Sequence, residues 1–225
     1  VALDSLCEYM WAGSPLGYQV AGSAEIVSGL TRDQMLSYMR RHYTPANTVI
    51  SVAGCFDESE LIRLCGKYFG KSGSSEIIPV PQAQMHGGRW QRKKEIEQTH
   101  LSIGYPAFPI GSDEIYAAAV LNGIFGGSMS GRLFQSVREN RGLCYSIYSY
   151  TATFPTVGML GVYAGLKPDS LSEAEKVIGE EAEKLCTAEV SSYELEKTRA
   201  QLRCGIIMSQ ESVTSVMTEN GKAQL

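Results

Sequence analysis

The sequence predicts an α+β protein made of two similar domains, each an antiparallel-rich sheet with helices packed on one face, both incomplete within these 225 residues. Three observations predict it. Short segments rich in Val, Ile and Tyr alternate with longer stretches whose apolar residues recur at spacings of three and four. Strand and helix follow one another in the same order on both sides of a Gly-, Ser- and Pro-rich stretch, a repeat of element order rather than of residue identity. The chain also opens at Val1 in a helical pattern and stops at Leu225 directly after another, so it reads as a segment of a longer protein. The divisions expected are 1–72, a linker at 73–90, and 91–225.

Each element has a local cause. Leu3, Leu6, Cys7 and Met10 form one helical face over Val1–Trp11, and Gly13-Ser14-Pro15-Leu16-Gly17 breaks it. Thr31 is a candidate N-cap for a helix carrying Met35, Leu36, Met39 and Tyr43, which Pro45 ends. Thr48–Cys55 reads as a strand through Val49, Ile50 and Val52. Asp57 can cap a third helix with Leu61, Leu64, Cys65 and Tyr68 in a stripe that ends at Gly70. The stretch from Lys71 to Trp90 has little periodicity. Beyond it His100–Tyr105 alternates as a strand, with Leu101, Ile103 and Tyr105 on one side. Asp113–Phe125 is a helix with Ala117, Leu121 and Ile124 inward, and Arg132–Asn140 a shorter one with Leu133 and Val137 inward. Tyr145–Thr153 and Gly158–Gly165 read as strands joined near Phe154-Pro155. Leu171–Leu185 and Ser191–Met208 are long helices, the second with Tyr193 as an early apolar contact and Leu195, Leu202 and Ile206 as its buried stripe.

Composition excludes several classes. A chain 44% hydrophobic and 20% charged can bury a core, and a net charge of −4 without a basic block argues against nucleic-acid binding. Arg89, Arg92, Lys93 and Lys94 form only a short patch, read as solvated. No apolar run is long enough to span a bilayer, and no signal-type segment is visible. Six cysteines without a C-x-x-C pair, several in apolar segments such as those of Cys55 and Cys204, read as buried free thiols of a reducing compartment, hence a cytoplasmic protein.

The run from Gly126 to Tyr145 concentrates chemistry. Arg138 offers a guanidinium fork suited to carboxylates and carbonyl oxygens. Seven positions later Tyr145 offers a phenol that can donate to a developing oxyanion. Gly142 between them permits a turn that other residues resist. The residues alone leave two readings open: a binding site, or an Arg138–Glu139 surface pair beside a core tyrosine. Arg132 and Arg141 are weaker candidates. Gly126, Gly127 and Gly131 do not form a phosphate loop, because the Gly-Lys-Ser/Thr ending and a preceding strand are both missing. They read as a tight connection bringing the next helix close to the sheet. The strand at His100–Tyr105 could be an edge that pairs with extended peptides, or an internal strand.

In their order, Ser14-Pro15-Leu16-Gly17, the Gly22–Glu25 turn, Leu30-Thr31, His42-Tyr43-Thr44-Pro45-Ala46-Asn47, Val52-Ala53-Gly54 and Lys67-Tyr68-Phe69-Gly70 resemble the first domain of the pitrilysin/insulinase family of zinc metallopeptidases, which includes the mitochondrial processing peptidases. Gly126-Gly127-Ser128-Met129-Ser130-Gly131-Arg132-Leu133-Phe134 and Arg138–Tyr145 resemble its second, non-zinc domain. The resemblance runs over nearly the whole chain. It implies a zinc endopeptidase in which residues 1–72 are the C-terminal half of the zinc-bearing domain and 91–225 the second domain. It implies further that Arg138 and Tyr145 are the Arg–Tyr pair assisting substrate binding and catalysis.

The family holds zinc through an H-x-x-E-H motif and a more distal glutamate. Here His42, His86 and His100 stand alone, each read as structural, and Asp4 and Glu8 as helix-surface carboxylates. Zinc is therefore expected in the parent protein, with none bound by these residues. The partners implied are a peptide or unfolded-protein substrate, an N-terminal zinc-binding segment, and possible homo- or hetero-dimerisation. Two rival readings stand beside this one: a non-catalytic member that binds peptides or serves as a partner subunit, and a purely structural domain on the same fold.

Overall fold

Three antiparallel strands organise the second half of the chain: β1 (Thr99–Ala107), β2 (Cys144–Thr153) and β3 (Gly158–Leu166), in the order β1-β3-β2. The computed structural model describes residues 2–70 and 79–224. These fall into two compact units, Val1–Ala21 with Val80–Leu202, and Gly22–Pro79 with Arg203–Leu225.

In the first unit successive side chains of each strand point to opposite faces of the sheet. Leu101, Ile103 and Tyr105 lie with Val162, Ala164, Leu166 and Ile147 in the main core, as their spacing predicts. Helices α5 (Ile115–Phe125) and α6 (Leu171–Thr187) supply Phe125, Ala174, Val177 and Ile178 to the same core. Met159, next in the chain to Leu160 of that core, turns to the opposite face. There Met10 and Trp11, at the end of α1 (Ala2–Met10), cover it together with Ala83. A side chain at Gly104 would run into Met10, so this glycine lets α1 lie directly on the sheet.

The stretch from His86 to Trp90 is pinned to this unit. The His86 N–H donates to the Met10 carbonyl (2.7 Å), Trp90 stacks on Tyr9 (4.9 Å), and Arg89 forms a two-toothed pair with Glu175 (2.9 Å). Of the expected linker, residues 73–78 lie outside the described residues.

In the second unit the caps are where local chemistry puts them. Thr31 and Gln34 form a reciprocal capping box on α3 (Arg32–His42), and Asp57 accepts from the Glu60 N–H (2.8 Å) at the start of α4 (Glu58–Phe69). Two further helices, α2 (Ala24–Gly29), capped by Ser23 where a turn was expected, and α8 (Val213–Lys222), also belong to it. Among the described residues of this unit no side chain is buried.

Several expectations are corrected. Thr48 is extended, but residues 48–53 pair with no strand among the described residues, because a β ladder needs a partner that propensity cannot supply. In α5 the outward residues include Ala117 and Leu121, while Ile124 and Phe125 are buried; the helix is apolar on nearly every side, so spacing could not choose a face. In α7 (Ser192–Ser209) Tyr193 and Ile206 are exposed, and the buried residue is Thr198, packed against Gly123. All six cysteines are free, but Cys55, Cys186 and Cys204 are exposed and only Cys144 is buried, since an apolar neighbour in sequence does not fix which way a thiol points.

Candidate functional site

The stretch expected to form a short helix is helical from Arg132 to Glu139, and from Phe134 onward it widens into a π-helical turn. The Asn140 N–H reaches back five residues to the Gln135 carbonyl (2.9 Å). Such wide turns are rare and recur at functional sites. Leu133 and Val137, both fully buried, hold the inner side of this segment against the sheet as expected.

Its end is a two-bond closure. The Leu143 N–H donates to the Val137 carbonyl (3.0 Å) and the Gly142 N–H to the Arg138 carbonyl (2.9 Å). Each bond spans one residue more than in a Schellman closure, in keeping with the wide turn, and the chain reverses at Gly142, whose φ of +62° is left-handed. The Arg141 guanidinium donates to the Ser136 carbonyl (2.7 Å), so Arg141 is engaged in the turn rather than merely solvated.

Tyr145 follows at a second irregularity. Cys144 pairs with Leu166 and Ser146 with Gly165, so Tyr145 is the extra residue of a β-bulge at the start of β2. Bulges re-aim side chains and are common beside active sites. Tyr145 is 53% exposed, which rules out the core-tyrosine reading. Arg138 forms no ion pair among the described residues, Glu139 included; its guanidinium lies over the Phe134 ring, 4.8 Å from the centroid. Burial pushes the Cys144 thiol up, and the Arg138 charge pulls it partly back. Arg138, Gly142 and Tyr145 thus flank one turn, the two side chains exposed and each set by a departure from regular backbone geometry.

The glycine connection behaves as read from the sequence. The Gly126 carbonyl accepts from the Ser149 N–H (3.1 Å), and an added Cβ at Gly126 would stand 3.0 Å from Leu133 and Ser149. The loop that follows is tied to α7, where Lys197 donates to the Ser130 carbonyl (3.2 Å) and Glu194 grips Arg132. Sequence reasoning passed over Glu194 and Phe134; the Ser191-x-x-Glu194 capping pattern was the available signal for Glu194.

On the sheet face opposite the main core, Tyr148 lies against Tyr163 (5.2 Å between rings) and the His100 Nδ1 is 2.8 Å from the Tyr163 hydroxyl. Among the described residues strand β1 pairs with β3 alone and so forms one edge of the sheet. His42 stacks on Tyr38, and no group of three His, Cys, Asp or Glu among the described residues could hold a metal. The described donors therefore do not assemble a zinc site.

The fold, then, is a small antiparallel sheet with helices, bearing an Arg–Tyr turn at one sheet end. The peptidase M16 inactive-domain pattern matches residues 29–202, and the chain belongs to that family. It is 37% identical over 223 residues to the uncharacterized zinc protease YmxG of Bacillus subtilis, covering 99% of this chain and 54% of that protein. It is 32% identical over 231 residues to an uncharacterized zinc protease of Streptomyces coelicolor, covering 99% and 50%. The chain thus spans about half the length of the curated relatives it matches. A peptidase M16 inactive domain from Pseudomonas fluorescens shares its fold, with TM-score 0.84 at 18% identity over 98% of this chain and 53% of that one. So does a chain of Complex III2 from Candida albicans, with TM-score 0.87 at 21% identity over 98% and 55%. No helix among the described residues is long and apolar enough to cross a membrane.

Proposed function

We propose that this chain is a segment of a zinc-dependent metalloendopeptidase, to which it contributes substrate-binding surface and the Arg138–Tyr145 pair but no metal ligand. In this reading residues 1–72 belong to the zinc-bearing domain, with Val1–Ala21 the part that packs on the second domain's sheet, 73–90 connect, and 91–225 are the second domain. The metal is held by other residues of the full-length protein.

The single observation that carries the reading is the exposed, otherwise uncommitted state of Arg138 and Tyr145 on either side of the Gly142 turn. A guanidinium resting on an aromatic face keeps its N–H groups free for the carbonyl oxygens or carboxylate of a peptide. A phenol held at a bulge can donate to a peptide carbonyl oxygen as that oxygen gains charge, which lowers the barrier to attack. Binding by the first group orients the substrate for the second. The free thiols support a reducing, cytoplasmic setting.

The test is hydrolysis of an internally quenched peptide by the full-length protein. Cleavage abolished by chelation and restored by zinc supports the proposal. Tight peptide binding without cleavage would mark a non-catalytic partner subunit instead, and neither binding nor cleavage would overturn both.

A further inference from the structure

We propose that Glu194 is a positioning residue for the Arg138–Tyr145 pair, acting through Arg132; the inference rests on the peptide-binding role proposed above for that pair. Glu194 Oε1 accepts from Arg132 Nε at 2.8 Å and Oε2 from Arg132 Nη2 at 3.0 Å. Among the described residues one other ion pair joins distant segments, Arg89–Glu175, and its side chains are far more exposed, at 74% and 36%. Arg63–Glu60 and Arg199–Glu196 join neighbours on one helix, with side chains 47% to 69% exposed, and pairs of that sort hold little in place. Arg132 and Glu194 are 18% and 27% exposed and tie α7 to the segment that carries Arg138. Glu194 is itself fixed: it closes a capping box with Ser191, accepting from the Ser191 hydroxyl at 2.9 Å while the Ser191 oxygen accepts from its N–H at 3.2 Å.

What needs holding is the register of the wide turn. A π-helical turn contains one more residue than an α turn, and relaxing it by one position would rotate the following side chains by about 100° around the helix axis. The C-terminal end is locked by Gly142 and Leu143. The N-terminal end begins at Arg132, whose carbonyl also accepts from the Ser136 hydroxyl (2.7 Å). Phe134, the platform under Arg138, is two residues beyond Arg132. Release of the clamp lets the platform turn, and Arg138 and the bulge after it lose their common setting. Lys197, one turn along α7, holds the Ser130 carbonyl just ahead of the same segment.

The experiment is a set of double-mutant cycles in the full-length protein. It is read as kcat/KM for a quenched peptide, and in parallel as affinity for a fluorescein-labelled peptide so that a background with little turnover remains measurable. We expect Glu194→Gln and Arg132→Gln each to lower the readout about tenfold, with the double variant no worse than either single one. In an Arg138→Ala background, Glu194→Gln should change it less than about twofold, because the guanidinium that the clamp positions is gone. Glu196→Gln, which breaks the exposed Arg199–Glu196 pair on the same helix and leaves Glu194 untouched, should leave the readout within about twofold. An equal loss from Glu194→Gln in both backgrounds, or the same loss from Glu196→Gln, would mark a merely structural role and overturn the proposal. A normal Glu194→Gln variant beside an impaired Arg138→Ala variant would overturn it while leaving the pair's role standing. An unimpaired Arg138→Ala variant would instead sink the pair's role and the clamp with it.

Discussion

The Arg132 guanidinium holds the Glu194 carboxyl down at a pKa of about 2, from an ordinary value of 4.5, against the opposing effect of partial burial. A carboxylate depressed in the folded state adds stability that is complete above the unfolded value. That stability is lost as pH falls from about 4.5 towards about 2. At pH 7, Glu194→Gln should cost about 1–2 kcal/mol, allowing for solvent screening of a side chain that is 27% exposed. The gap between variant and parent should close across that acid window, as measured by urea unfolding at several pH values.

Gly142 bears the left-handed turn at φ +62°, and nothing stands within 4 Å of an added Cβ. The cost of Gly142→Ala is therefore backbone strain, about 1–2 kcal/mol. Gly142→Asn should cost less, because asparagine tolerates this region. Urea midpoints of the two variants check the order.

Leu133 is fully buried where the Gly126 connection meets the core, whereas Met129 on the loop before it is 76% exposed. Leu133→Ala should destabilise by about 2–5 kcal/mol through a cavity. Met129→Ala should stay within about 0.5 kcal/mol. Chemical denaturation of both variants compares them directly.

Helix boundaries set by nearby side chains were legible in the sequence: Thr31 with Gln34, and Asp57, cap where their spacing says they should. So was the alternation of Leu101, Ile103 and Tyr105. Properties that depend on distant chain were not. Val49, Ile50 and Val52 favour extension, but no local signal tells whether a neighbouring strand is present. Apolar residues on every side of α5 hide its inward face, and Tyr193 and Ile206 satisfy a spacing that the fold leaves exposed. At the site, the Arg138–Tyr145 spacing could be read, but the bulge at Tyr145 depends on register against β3. The grip of Glu194 on Arg132 likewise joins residues 62 positions apart.

The thiols should separate by accessibility. Cys55, Cys186 and Cys204 are exposed and should react rapidly with a disulfide reagent in the native protein. Cys144 is buried with its thiol pushed up, and should react only once denaturant is added. Mass mapping of labelled peptides over time distinguishes them; early labelling of Cys144 would contradict the closed core around it.

The most direct measurement is steady-state peptide hydrolysis by the full-length protein carrying Tyr145→Phe or Arg138→Ala. Loss of the phenol donor should lower kcat about 10²-fold with KM little changed, and loss of the guanidinium should lower kcat/KM chiefly through weaker binding. Parent-like kinetics in both variants would contradict the assignment of this turn to substrate binding and catalysis.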